Sequence, residues 1–228
     1  MITSRVAIQR EEDGFLGKRF VDLMVAFCCL ALLLPVFALV AGWIMVVSPG
    51  PVLFRQERVG FRGRRFIMLK FRSMGPHAET QSHEEHVRQI VDSDTPMEKL
   101  DSQGDPRVIR GGRFLRASCL DELPQLLNVV RGEMSLVGPR PCVPSEFELY
   151  SDSQKERFDV KPGLTGYWQV TGKNKTTFSE MVAMDIYYVK SMSLWLDLKI
   201  MFRTIPTIWG QVMDTATTVK SGEAREGF

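Results

Sequence analysis

Two carboxylates stand side by side at Asp121 and Glu122, inside the run Ala117-Ser118-Cys119-Leu120-Asp121-Glu122-Leu123-Pro124-Gln125-Leu126-Leu127-Asn128. Acids so placed suit a nucleophile or a metal ligand. Leu123, Leu126, Leu127 and Val130 follow at i, i+3, i+4, i+7 spacing, which predicts an amphipathic helix whose first turn holds the pair. Pro124 suits a first turn, where its missing N–H is harmless, and Gly132 supplies the stop. At that end of a helix the dipole and the free N–H groups favour the ionised acids, so both are expected to be anionic near neutral pH. The alternative is that the two acids only cap the helix.

Cations are placed to meet an anionic substrate. Arg55, Arg58, Arg62, Arg64, Arg65, Lys70 and Arg72 fall within twenty positions against the single acid Glu57, a cluster suited to phosphates or anionic lipid. Arg113 and Arg116 precede the acid pair, and Arg140 follows it between Pro139 and Pro141. Prolines on both sides restrict the backbone and hold a guanidinium in a fixed direction, as bidentate phosphate binding needs; an ordinary turn with a solvated Arg is the plain alternative. Tyr167 and Trp168 in the turn-rich stretch Lys161 to Gly172 read either as a wall for a base or sugar, or as core. His83-Glu84-Glu85-His86 is not the zinc-binding HExxH pattern and reads as an exposed polar helix face. The four cysteines form no CxxC pair and read as reduced thiols.

The elements that must position these groups start with a membrane segment. Leu23 to Val47 carries no charge and, as a helix, exceeds the roughly 30 Å hydrocarbon layer. A cleavable signal peptide fits badly, because the run is too long and lacks a cleavage site. Pro35 lies at its centre and breaks a backbone hydrogen bond there. Arg10, Lys18 and Arg19 precede the run and the basic cluster follows it, which favours both ends on the cytoplasmic side and a re-entrant helix; a kinked span is the other solution. Beyond it, Val52 to Phe54 and Phe66 to Leu69 predict a hairpin turned at Gly60 and Gly63. Gly75 to Asp105 reads as a polar surface excursion. Met134 to Pro141 predicts a short strand ending in a rigid turn, and the region from Leu194 to Ile208 an apolar-rich helix suited to lying on lipid.

The organisation expected is therefore an N-terminal tail (1–17), a membrane helix broken at Pro35 (18–50), a cytosolic domain (51–212) and a flexible tail (213–228). The fold class is α+β, mainly helical, with a small β-hairpin and interfacial amphipathic helices around a compact catalytic domain. A net charge of +2 over 228 residues gives no reason to expect nucleic acid. The lack of a P-loop or GxGxxG argues against a nucleotide triphosphatase or a Rossmann cofactor enzyme.

Five motifs occur in order: Lys18-Arg19-Phe20-Val21-Asp22, Lys70-Phe71-Arg72-Ser73-Met74, Leu120-Asp121-Glu122-Leu123-Pro124-Gln125, Val137-Gly138-Pro139-Arg140-Pro141 and Pro162-Gly163-Leu164-Thr165-Gly166. From about Lys18 to Ile208 the chain resembles the bacterial sugar transferases known as monotopic phosphoglycosyl transferases. The resemblance implies transfer of a sugar-1-phosphate from a UDP-sugar, with a hexose such as galactose or glucose, to undecaprenyl phosphate. UMP is released and assembly of an exopolysaccharide or O-antigen glycan begins. It implies Asp121 as covalent nucleophile and Glu122 as its catalytic neighbour and ligand of Mg²⁺. Lys70, Arg72, Arg116 and Arg140 are the candidate substrate-binding cations, screening phosphates so that an anionic Asp can attack. The resemblance also implies a monotopic anchor in membrane phospholipid, on the cytoplasmic face of the bacterial inner membrane, broken at a proline; Leu34 stands where members often carry Ser.

Two other classes use the same features. A membrane-attached lipid-binding interaction protein would need the acids only as caps. A metal-dependent phosphohydrolase of lipid diphosphates would pass the phosphoryl group to water. Nothing in the spacing requires the lipid-facing helices to pair, which leaves a homodimer open.

Overall fold

The computed structural model describes residues 2–75, 107–172 and 176–226. The excursion expected after Gly75, with His83-Glu84-Glu85-His86, lies outside the described residues. The chain opens with a helix pair, α1 (Ile2–Leu32) and α2 (Leu34–Val47), followed by an antiparallel hairpin, β1 (Leu53–Val59) and β2 (Arg65–Phe71). Helix α3 (Gly112–Ala117), a 3-10 turn (Leu120–Glu122) and α4 (Gln125–Arg131) lead into β3 (Ser135–Val137). After α5 (Pro144–Phe147) comes β4 (Gly163–Thr165), parallel to β3, then α6 (Tyr167–Thr171), α7 (Phe178–Ser191) and α8 (Leu194–Glu226). The result is a mainly helical α+β architecture with two small two-stranded sheets, and Val59 at the end of β1 makes an isolated bridge to Cys142 in the loop after β3.

No single described helix is long and apolar enough to cross a membrane, but Leu16–Leu32 and Leu34–Val47 together are, and they meet at 61°. The break falls at Leu33, two residues before Pro35, whose ring displaces the carbonyl of the preceding turn and which donates no N–H to it. The bend therefore forms with Leu34, and no serine, before the proline.

Both feet of this pair stand on the same body. On α1, Lys18 pairs with buried Asp197 at 2.5 Å, and Arg19 donates to the carbonyls of Val129 and Val130 at 2.6 and 3.0 Å. One turn on, Asp22 accepts from Ser135 Oγ at 2.8 Å and from the Leu136 N–H at 3.0 Å. At the far end of α2, Trp43 Nε1 donates to the Arg110 carbonyl at 3.1 Å, and Arg72 donates to the carbonyls of Ser48 and Pro49. Lys18 and Arg19, read from sequence as a flank that faces the cytoplasm, are thus spent on fastening α1 to the domain. Arg19 neutralises the carbonyl end of α4 as a cation at a helix C-terminus does.

Three apolar clusters hold the fold. Ala26 of α1 joins Leu126, Val129, Met134, Leu136, Val137, Val160, Tyr188 and Ile200. Trp168 packs with Val59, Cys142, Tyr150, Phe158, Phe178, Met181 and Val182. Val40 and Ile44 of α2 meet Phe71 and Leu115, with Leu120 and Leu123 against them. The outward face of α8 is left apolar, with Trp195, Leu198, Phe202, Ile205, Trp209 and Met213 all exposed at helical spacing.

Two boundaries differ from expectation. Helix runs from Ile2 and continues to Glu226, through both segments expected as tails, because helix-forming polar residues extend helices already nucleated by packing. Helix α4 begins at Gln125, after Pro124, so the acid pair sits one turn ahead of it in the 3-10 turn. The stop at Gly132 is as expected: φ is +81° and its N–H closes on Asn128 and Val129.

Candidate active site

The turn that carries the acids starts from strain. Cys119 is held at φ +56°, a region that disfavours a side chain, and this sends the chain inward so that Asp121 points into the protein while Glu122 stays half-exposed. Leu120 and Leu123 on either side pack into the α2 cluster, so the acid-bearing turn is seated directly on α2. Asp121 is only 6% exposed.

The hairpin brings the opposing charge. Residues directly across an antiparallel ladder share a face, so Phe54 with Lys70, Gln56 with Met68 and Arg58 with Phe66 place Gln56, Arg58 and Lys70 on one side. That side meets the acids: Lys70 Nζ donates to Glu122 Oε1 at 2.7 Å. Asn128 fixes the register by completing the free edge of β2, accepting from the Leu69 N–H at 3.1 Å and donating to the Ile67 carbonyl at 2.7 Å. Burial pushes the Asp121 carboxyl up to about 6, opposed by Lys70 and Arg116 and assisted by the neighbouring Glu122. The helix-terminus expectation of a favoured anion is therefore corrected: desolvation outweighs the cations, and at pH 7 the group is anionic but basic.

A second cluster adjoins this one. Arg157 is fully buried, paired with Asp185 at 2.5 Å, donating to the Tyr150 hydroxyl and to the Arg140 carbonyl at 3.0 Å. Tyr150 donates to Glu146 at 2.8 Å. Buried Arg58 donates to Gln56 at 2.6 Å and to the Pro141 carbonyl at 3.3 Å, and its charge is felt together with those of Arg140, Glu146 and Glu122.

Of the residues singled out from sequence, Asp121, Glu122, Lys70 and Arg116 come together, and Arg140 lies in the adjoining cluster. Arg72 does not join them: it is buried and caps the end of α2 through Ser48 and Pro49. Trp168 is core, its Nε1 donating to Thr176 at 2.7 Å, while the Tyr167 ring meets that of Tyr187 at a tilt of 47° with centroids 5.1 Å apart. Glu146, Arg157 and Asp185 were missed, and Arg58 was read only as one of the basic cluster. A signal existed for Asp185, which falls on the stripe Phe178, Met181, Val182, Asp185, Tyr188, since a charge on the buried face of a helix must have a partner.

Among the described residues there is no group of three or more His, Cys, Asp or Glu able to cage a metal. Two adjacent carboxylates nevertheless fit the manner in which Mg²⁺ binds, through one or two acids with the remaining positions taken by water and substrate phosphates.

A buried basic carboxylate among cations, beside a bent apolar helix pair, is an arrangement that suits phosphate chemistry. The comparison with known proteins agrees: residues 14–211 match the model of the bacterial sugar transferase family, and the chain belongs to that family. It is 40% identical over 195 residues to the exopolysaccharide production protein ExoY of Sinorhizobium fredii, covering 86% of each. It is 43% identical to the UDP-glucose:undecaprenyl-phosphate glucose-1-phosphate transferase of Caulobacter vibrioides, over 85% of this chain and 70% of that one. The undecaprenyl-phosphate galactose phosphotransferase of Salmonella typhimurium is 37% identical over 88% of this chain, which spans 42% of that protein's length.

Proposed function

We propose that this protein transfers a sugar-1-phosphate from a UDP-hexose to undecaprenyl phosphate by way of a covalent intermediate on Asp121. The observation that carries the reading is the Asp121 carboxylate itself: buried, raised to about 6, and faced by Lys70 and Arg116. A carboxylate of ordinary acidity is a poor nucleophile, and one made more basic by burial while still ionised at neutral pH is a better one. Its oxygen bonds to the donor's β-phosphorus and the bond from that phosphorus to the bridging oxygen breaks, so UMP leaves. An oxygen of the lipid phosphate then bonds to the same phosphorus and Asp121 departs as a carboxylate, leaving a lipid diphosphate-sugar. Lys70 and Arg116 hold the phosphate charge, and Arg140 the second phosphate of the donor. Glu122 would hold Mg²⁺, which would supply positive charge to the donor's diphosphate and so favour departure of UMP.

The bent helix pair enters one leaflet and returns, since both its feet contact the same domain. The apolar face of α8 lies along the same lipid surface. This puts the acids at headgroup depth on the cytoplasmic face of a bacterial inner membrane, where the acceptor's phosphate resides. The names of the relatives support galactose or glucose as the sugar and exopolysaccharide synthesis as the setting.

The test is intact-protein mass after incubating detergent-solubilised protein with Mg²⁺ and UDP-galactose or UDP-glucose, without acceptor, beside Asp121→Asn. A gain of one sugar-phosphate in the wild type alone is expected. Turnover with acceptor present but no adduct at any time would mean direct transfer and remove Asp121 as nucleophile.

A further inference from the structure

Pro139 and Pro141 have no N–H to donate, so the segment carrying Arg140 is fixed chiefly by what its carbonyls accept. Four consecutive carbonyls are taken by donors from three different parts of the chain. Pro139 accepts from the Gly163 N–H at 2.9 Å, Arg140 from Arg157 Nη2 at 3.0 Å, Pro141 from Arg58 Nη1 at 3.3 Å and Cys142 from the Val59 N–H at 2.9 Å. The two carbonyls that flank the Arg140–Pro141 bond are thus held by buried guanidiniums, while the Arg140 side chain stays half-exposed.

A neutral donor would serve a carbonyl equally well, and burying a cation beside another cation is unfavourable. Here three guanidiniums, Arg58, Arg140 and Arg157, gather around two carboxylates, Glu146 and Asp185. With Glu122 paired to Lys70, one positive charge is left over, and Glu146 Oε2 and Arg58 Nε are buried without hydrogen-bond partners. A cluster of excess positive charge, with a rigid backbone aiming its most exposed member, fits an incoming anion.

We propose that Arg58 is a positioning residue for Arg140: by holding the Pro141 carbonyl from the hairpin it aims the Arg140 guanidinium at the second phosphate of the nucleotide-sugar donor. This rests on reading Arg140 as a donor-phosphate group. Arg58 also spans two elements, since Nη2 is anchored on Gln56 while Nη1 reaches the loop. Lysine cannot make both bonds in that planar geometry.

The test is a double-mutant cycle on kcat/KM for UDP-galactose or UDP-glucose, with KM for undecaprenyl phosphate measured alongside. Arg58→Lys is expected to lower donor kcat/KM about tenfold, mainly through KM, and by less than about twofold in an Arg140→Ala background; acceptor KM stays unchanged. Pro141→Gly, which frees the backbone and alters no charge, is expected to reproduce the donor KM effect and covers the case in which Arg58→Lys fails to fold. Equal losses from Arg58→Lys with and without Arg140, or from Pro141→Gly where Arg58→Lys does not fold, would overturn the positioning role. An Arg140→Ala protein with unchanged donor KM would overturn the reading beneath it.

Discussion

Asp121 and Glu146 are both buried carboxylates among arginines, yet the protein drives them in opposite directions. Burial raises Asp121 to about 6, and Lys70 and Arg116 only partly oppose it. Burial acts on Glu146 too, but Arg140, Arg157, the Tyr150 hydroxyl and Arg58 together outweigh it and hold that carboxyl below its usual range. The difference lies in the charge each one faces. Glu146 is surrounded by Arg140, Arg157 and Arg58 and accepts from Tyr150, whereas Asp121 faces Lys70 and Arg116 with the like charge of Glu122 beside it. The more basic of the two is the one proposed to react.

Replacing the reactive member should show this most sharply. Asp121→Asn is expected to lower transfer by at least about a thousandfold and also to raise stability. The folded pKa lies above the ordinary 3.8, so ionising Asp121 opposes folding. That penalty is absent below about pH 4, grows toward pH 6 and reaches at most about 3 kcal/mol above it. Urea unfolding at pH 4 and pH 8 checks both ends of the range. A variant equally destabilised at both would break the contrast.

The other member should fail differently. Arg157→Met leaves Asp185 buried without its ion-pair partner and Glu146 with one cation fewer, and is expected to cost about 3–5 kcal/mol, read by urea unfolding. In the wild type, the stability supplied by Glu146 is complete above the ordinary glutamate range and is lost as pH falls through the lowered folded value.

Lys70 tunes the contrast. Lys70→Met removes the largest influence lowering Asp121, so the acidic limb of the adduct-formation rate, with its midpoint near pH 6, should move to higher pH and the rate at pH 7 should fall about tenfold. The smallest effect concerns the strained residue before the turn. Cys119→Gly relieves a left-handed side-chain conformation and should raise stability by about 1 kcal/mol with transfer retained, which also separates the thiol from the chemistry.

Much of this was legible because it is local. Gly60 and Gly63 turn the hairpin, Gly132 stops α4, Pro35 forces the bend, and the adjacent acids announce themselves. What could not be read was distance. Asp121 is buried because Leu120 and Leu123 pack near Val40 and Ile44, some eighty positions earlier in sequence, and no local pattern reports that. Arg72 belongs to the same basic cluster as Lys70, and only the fold assigns one to a helix cap and the other to Glu122. Arg58, Glu146, Arg157 and Asp185 come from four separate elements, so their network exists only once those elements meet.

The two feet of the bent helix pair tie the apolar segment mechanically to the turn that bears Asp121. Lys18, Arg19 and Asp22 at one foot, and Trp43, Ser48 and Pro49 at the other, are all bonded to groups of the same folded body. Between them Leu23 to Val47 carries no charge, and Val40 and Ile44 pack with Leu120 and Leu123 on either side of the acids. Any force on the apolar pair would therefore be felt at the floor of the acid-bearing turn.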